Sequence, residues 1–499
     1  MKRLGLILLG VLATAFLVAG CRSSSELSSE APTVYVFTAP EIVIDPSWPE
    51  APLEEVTSLD FYAVNDFHGA LEYNPYSNEL GINRMATYFS DRKEENADGT
   101  VILSIGDMWQ GSADSNITRG RLTVDAMNLI GFEAMAIGNH EFDWGVETIA
   151  QNQIQADFPF LSANIFEKAT GTNAEFALPY TMIDRGGVRI GLIGTIGATL
   201  ESIILTSNVL PYDFTSSASL VRQSAANLRE AGADVVVLLN HNGEIESGIL
   251  SDVDIAFNAH THETYSRLTS GTPVIQSGYN GRAVGHVSLT YTASTGSLEV
   301  AEYGVDTELI DLGLTEDPDM KAIYDQYLEE EINAVKNEVL GEATGYFSKA
   351  KLGDLAVKSM LDYGAQFGAQ VAFHNAGGVR ATISQGTVTY GDIYKVFPFD
   401  NELIVAEVTG AELKWWLAQD DYVAGANPFT NTLDGGAAIK DQSIYKIIAI
   451  NYLTEKHLKE ADQYPHDEDT ALNTFSYVRE VIKDVWQEAE TLSPDDYLG

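Results

Sequence analysis

Short apolar runs along this chain end, again and again, on polar residues of the types that bind metals. LDFYAVNDFHGAL, starting at residue 59, alternates apolar and polar positions and breaks at Gly69, which predicts a strand leading into Asp66 and His68. With one residue between them on extended backbone, those two side chains point to the same side. VILSI, residues 101–105, is a second apolar run and closes on Gly106 and Asp107. In AIGNHEFDWG, residues 136–145, the apolar run stops on Gly138 and is followed by Asn139, His140, Glu141 and Asp143. VRIGLIGTIGA near residue 190 reads as a strand without ligands, DVVVLLNHNGE as a buried strand ending in His241, and DVDIAFNAHTHE as one leading to His260 and His262. Taken singly, Asn139 or Asp107 could cap a helix or turn, and a lone histidine could be a core or surface group. Repetition argues against that, because a chance scatter of nine histidines does not place four of them at equivalent strand ends.

Between these runs, INRMATYFSDRKEE, LTVDAMNLIG and ASLVRQSAANLREAG carry apolar residues at helical spacing. Alternating strands and helices imply a largely parallel or mixed sheet covered on both faces. Open α/β sheets keep their ligand crevices at the carboxyl edge of the strands, so the polar residues at that edge converge. Seven side chains, Asp66, His68, Asp107, Asn139, His241, His260 and His262, are enough for two metal ions if one carboxylate is shared.

Composition adds the setting. Lys and Arg total 29 against 72 Asp and Glu, a formal charge of −43, which disfavours binding to nucleic acid polymers or anionic lipid and requires any site for an anionic substrate to be locally positive. Residues 1–20 have the form of a secretory signal: Lys2 and Arg3, an apolar run, then small residues. Cys21, the only cysteine, can form no internal disulfide and is followed by RSSSELSSE. Leu17-Val18-Ala19-Gly20-Cys21 resembles a bacterial lipobox, which implies a lipoprotein carrying acyl chains such as palmitate on Cys21. It would sit on the extracytoplasmic face of a membrane without spanning it, and no later stretch is long and apolar enough to cross a bilayer. Residues 21–55 have a flexible tether's composition, and the rest is too long for one core and predicts two domains.

DFHG, GDMWQGS, GNHEFDWG, LNHNG and AHTHE, in this order across residues 60–265, resemble the motifs of the calcineurin-like metallophosphoesterases, and specifically of their bacterial 5'-nucleotidase branch. The resemblance implies an α/β fold with a four-layer metallophosphoesterase β-sandwich flanked by helices over residues 56–312. It also implies a linker helix over 313–342 and a smaller α/β substrate-binding domain over 343–499. Asp107 would bridge two ions, with Asp66, His68 and His262 completing one site and Asn139, His241 and His260 the other. His140 would stabilise developing charge or the leaving oxygen, with Asp143 holding its ring, while Glu141 is read as structural. Ala259 stands where the family usually has glycine before the histidine, which bears on loop geometry. Mixed imidazole and carboxylate ligands suit Zn, Mn, Fe or Co better than Mg or Ca. Two such ions about 3.5–4 Å apart activate a bridging water and clamp phosphoryl oxygens.

In the second half, DPDMKAIYDQYLEEEINAVKNEVLG reads as one long helix closed by Gly341, with Ile323, Tyr327, Ile332, Val335 and Leu340 as packing positions. NAGGVRA resembles the family's substrate-domain signature: Asn375, Gly377 and Gly378 would let backbone approach a ligand, and Arg380 would offer a planar fork to phosphate. PFDN resembles its base-stacking loop through Phe399 and Asn401, with Tyr452 as a second aromatic face and Tyr464 as its substitute. The family's glycine-rich loop near the C-terminus is missing, and where an arginine is expected before LGDL the nearest cations are Lys349 and Lys351. The expectation is an extracytoplasmic dimetal phosphoesterase acting on nucleoside 5'-monophosphates. Alternatives are a UDP-sugar or 2',3'-cyclic-nucleotide hydrolase with the same metals, or a lipoprotein that binds nucleotide or metal without turnover.

Overall fold

The computed structural model describes residues 35–419, 421–460 and 471–497; Cys21 and Tyr464 lie outside them. The first half of the described chain is built on two six-stranded sheets. In the first, Val56–Val64 pairs antiparallel with Val284–Thr292 and parallel with Thr100–Ser104, which is followed by Ala134–Ala136. In the second, Val235–His241 lies parallel between Val188–Ile196 and Ile255–Asn258. The period of two explains why these strands read as continuous apolar runs. Val101, Leu103, Val235, Val237 and Leu239 face the core between the sheets. Ile102 faces the helices outside the first sheet, and Val236 and Leu238 face Ala218–Glu230 outside the second. Each strand therefore buries both faces, at roughly 1.5–3 kcal/mol per large aliphatic side chain.

The helix Ile82–Glu95 falls where its pattern predicts and buries Ile82, Met85, Ala86, Tyr88 and Phe89. It starts on Gly81, at φ +69°, where an added Cβ would lie 2.5 Å from the Tyr73 nitrogen, so the sharp entry needs glycine.

Two expectations change. Residues 35–53 are not a free tether: Phe37, Ile42 and Trp48 pack on the outer core of the second sheet. Val36 N–H donates to Gly171 O, Leu53 N–H donates to Gly186 O, and the Tyr35 hydroxyl donates to Asp213. The connector is also shorter than its periodicity suggests. It runs as α-helix over Pro318–Tyr327, widens to a π-turn over Leu328–Ile332 and ends with Asn333–Lys336. Gly341 lies inside the strand Val339–Ala343, against the Glu490 carbonyl. Ile323, Tyr327 and Ile332 pack on the first half, whereas Val335 and Leu340 join the core of the other half.

That second lobe holds a five-stranded sheet in the order 421–424, 371–375, 444–450, 402–409, 472–477, with Lys349–Gly364 and Val478–Ala489 contributing to its core. Among the described residues no helix is long and apolar enough to cross a membrane.

Candidate dimetal site

The six carboxylate and imidazole side chains picked out at the strand ends meet in two groups: Asp66, His68 and His262, and Asp107, His241 and His260. Within each group the possible ligand atoms lie within 4.8 Å of one another. Asn139 joins the second, its Oδ1 3.1 Å from His260 Nδ1 and 3.3 Å from His241 Nε2.

The backbone that brings them there is not extended. Asp66, His68, Asp107, His260 and His262 all have φ between +48° and +80°, the left-handed region that non-glycine residues avoid. Asp66 and His68 therefore converge through a coiled loop after the strand ends at Val64, not by alternation along it. His260 takes its turn with Ala259 fully buried behind it, so the missing glycine does not displace the ligand.

The donor set suits cations. Gln110 O accepts from His68 Nδ1 at 3.0 Å, so a neutral His68 presents a bare Nε2, which lies 3.1 Å from His262 Nε2. Asp66 Oδ1 is buried without a hydrogen-bond partner among the described residues and lies 3.5 Å from the same His262 nitrogen. His241 likewise gives its Nδ1 proton to Ile105 O at 2.7 Å and turns Nε2 to Asp107 Oδ2 at 3.1 Å. Protons alone serve these acceptors unevenly: burial pushes His68 down to about 3. Burial also opposes charging His241, but Asp107 and Asp66 hold it up at about 10. A cation in each group satisfies both sets of lone pairs.

His140 stands beside these groups. Its N–H donates to Asp107 Oδ1 at 2.8 Å, and its Nδ1 bonds Asp143 Oδ2 at 2.8 Å. Burial opposes its charged form, yet Asp143 and Asp107 raise it to about 9. Glu141 is fully buried, and its carboxylate accepts the N–H groups of Asp107, Met108 and Gly138 at 2.7–2.8 Å. It thereby holds the loop that carries Asp107. Burial and the Asp107 charge push it up to about 7.

Part of the second lobe reaches this centre. Phe399 stacks on His140, with centroids 5.9 Å apart, and the Arg380 guanidinium lies 6.0 Å from the Phe399 ring. Asn116 Nδ2 donates to Pro398 O at 2.7 Å, tying the PFDN loop to the catalytic half. Arg380 is placed by its own N–H, which donates to Val396 O.

Other predicted contacts differ. Tyr452 is on the helix Asn451–Glu460, half-buried against the second core. It lines a separate cavity with Lys168 and Lys456 and makes no ring pair with Phe399. Asn401 accepts the Val478 N–H on its backbone oxygen. Asn375 Oδ1 is buried without a hydrogen-bond partner among the described residues. A Cβ on Gly378 would lie 2.5 Å from that oxygen, so glycine there serves the packing of the turn; Gly377 meets only Asn375 Nδ2, at 3.5 Å. Lys351 is bound to Pro494 O and Asp495, away from the site.

Three residues escaped the sequence reading. Tyr279 stacks on His262 at 4.7 Å with Arg282 4.2 Å from its ring. Arg479, almost fully buried, donates to Phe397 O and Phe399 O and pairs with Asp400, fixing the PFDN loop. Asn208 holds the carbonyls that follow His140. None lies in a motif.

The family model of the 5'-nucleotidase C-terminal domain matches residues 331–439. Endonuclease YhcR of Bacillus subtilis is 28% identical over 409 residues, covering 73% of this chain, which spans 33% of that protein's length. Protein UshA of Yersinia enterocolitica is 26% identical over 452 residues, covering 77% of this chain and 80% of its own. The crystal structure of a 5'-nucleotidase precursor from Thermus thermophilus superposes with a TM-score of 0.72 at 23% identity, over 87% of this chain and 97% of that one, so the two share a fold.

Proposed function

We propose that this chain, which matches the 5'-nucleotidase C-terminal domain model over residues 331–439, is a member of the 5'-nucleotidase family and hydrolyses nucleoside 5'-monophosphates to nucleoside and phosphate at the paired clusters around Asp66 and Asp107. The observation that carries this reading is the meeting of two adjoining candidate ligand groups with His140 and with Arg380 and Phe399 from the second lobe.

Asp66, His68 and His262 would hold one divalent ion of the Zn, Mn, Fe or Co type and Asp107, Asn139, His241 and His260 a second, and such ions would supply an activated water and polarise the phosphoryl oxygens. The chain's own groups do the rest. His140 presents a protonated ring to the leaving 5'-oxygen while Asp143 fixes its orientation through Nδ1. Arg380 brings positive charge to a chain that is otherwise strongly acidic, and its planar fork matches a phosphate. Phe399 offers a face to the base once it leaves His140.

The N-terminal pattern ending at Cys21 supports an extracytoplasmic, lipid-anchored placement, for which release of the protein from membranes by Cys21→Ala is the test.

The activity is tested with a panel of nucleoside mono-, di- and cyclic phosphates and UDP-glucose. We expect phosphate release to be fastest from the 5'-monophosphates, lost with chelator and restored by Mn or Zn. Nucleotide binding without phosphate release at full metal occupancy would overturn the reading.

A further inference from the structure

Asn208 lies in the short helix Thr206–Val209, more than sixty residues from the His140 motif. Its Nδ2 donates to two successive carbonyls, Phe142 O at 2.9 Å and Asp143 O at 3.2 Å. Those carbonyls close the turn His140–Phe142 and belong to the segment whose carboxylate holds the His140 ring. One amide bonded to two consecutive peptide oxygens fixes the direction in which that segment leaves the turn, and with it the position of Asp143.

The same short helix is gripped from the other lobe. Thr206 N–H donates to Glu455 Oε2 at 2.7 Å, and Glu455 is on the helix Asn451–Glu460 of the second lobe. A continuous link thus runs from a second-lobe carboxylate, through one turn of helix, to the backbone behind the proton donor. It follows the wall of a cavity of about 750 Å3 lined by Asp143, Trp144, Thr206, Asn208, Asp400 and Glu455.

We propose that Asn208 is a positioning residue for the His140–Asp143 pair and that Glu455 sets Asn208, so that docking of the second lobe aligns the proton donor with the leaving oxygen. This rests on the role given above to His140. Misplacing a reacting group by about 1 Å costs on the order of a hundredfold in rate, so a modest tilt of the ring is enough to matter.

The test uses the metal-loaded full chain and two substrates with different leaving groups. A nucleoside 5'-monophosphate expels a basic alkoxide that needs a proton, whereas 4-nitrophenyl phosphate expels a stable phenolate that does not. His140→Ala is the reference and is expected to lose far more kcat on the nucleotide than on the aryl ester. Asn208→Ala and Asn208→Asp, which keeps the shape and removes the donor, should show the same asymmetry at about tenfold on the nucleotide and less than twofold on the aryl ester, with KM and metal content unchanged. Glu455→Ala should show a weaker form of it, Glu455→Gln, which retains an acceptor, should restore activity, and Glu455→Ala should add nothing in the Asn208→Ala background. If His140→Ala itself slows both substrates equally, the reading of His140 fails. If His140→Ala is asymmetric while the Asn208 variants slow both substrates equally or lose only thermal stability, or if the Glu455 and Asn208 losses simply multiply, this inference fails.

Discussion

Phe399 and His140 come from different lobes, yet their rings lie 5.9 Å apart with planes only 27° from parallel. In this arrangement the aromatic covers the proton donor, and a base can stack on Phe399 only after the ring moves off His140. Stacking of a base on an aromatic is worth about 1–3 kcal/mol. Phe399→Leu should therefore raise KM for nucleoside monophosphates roughly 5- to 150-fold while leaving the hydrolysis of 4-nitrophenyl phosphate unaltered. Equal effects on both substrates in steady-state assays would make Phe399 a packing residue instead.

His140 donates its backbone N–H to Asp107 and its ring to Asp143, and offers neither ring nitrogen to either ligand group. His140→Ala should keep both metals by elemental analysis and lose roughly 10²–10⁴ in kcat on a nucleotide, the usual range for removing a general acid. A protein that loses one metal equivalent instead would move His140 into the ligand set.

The first half was legible because its central strands bury both faces and lead into residues of metal-binding types. That pattern is local, and it located all seven candidates from Asp66 to His262. The backbone path was not legible. Asp66 and His68 look like neighbours on a strand, but the strand stops at Val64 and both sit at positive φ, a conformation that residue identity does not announce. Gly341 has the look of a helix stop and is instead squeezed against the Glu490 carbonyl across a strand pair, a constraint set by residues nearly 150 positions away. Residues 35–53 have a tether's composition, but three spaced aromatic and aliphatic side chains, Phe37, Ile42 and Trp48, suffice to hold them down. Asn208 and Tyr279 act only through contacts between distant segments.

Five ligand candidates hold left-handed backbone, each at a cost of order 1–3 kcal/mol, and their lone pairs converge. A cation bound only by the folded chain offsets that cost, at about 4 kcal/mol when the ion is a thousandfold above its Kd. Chelation should lower the Tm of the first half by about 8–16 °C for each ion removed, and added Mn or Zn should restore it. An unchanged Tm in calorimetry would mean that the loops are held by packing alone.

The His262 side chain is 30% exposed, and Tyr279 stacks on it with a 17° interplanar angle while Arg282 lies over the tyrosine and pairs with Glu79. This stack holds the imidazole from outside the ligand set. Groups in such a role typically contribute about 10- to 100-fold to metal affinity. Tyr279→Ala should weaken binding of one of the two ions by that factor in a competition with a chelating dye, and Tyr279→Phe should not. Equal weakening of both ions would point to a general loss of structure.

His374, at the end of a central strand of the second lobe, is 1% exposed, gives its Nδ1 proton to Asn375 O and packs edge-on against Phe397. Burial depresses it to about 4, so it stays neutral in the folded chain while the unfolded chain takes up a proton near pH 6.5. The unfolded state then binds more protons between pH 6.5 and 4, and stability falls as the pH falls through that window. The loss reaches about 2 kcal/mol at pH 5 and about 3 kcal/mol near pH 4. Above pH 6.5 the term is constant. In urea unfolding followed at pH 7 and pH 5, His374→Gln should be less stable than the native chain at pH 7 and should lose about 2 kcal/mol less on acidification. Parallel losses in the two proteins would show that the acid sensitivity of the second lobe resides in its carboxylates and not in this ring.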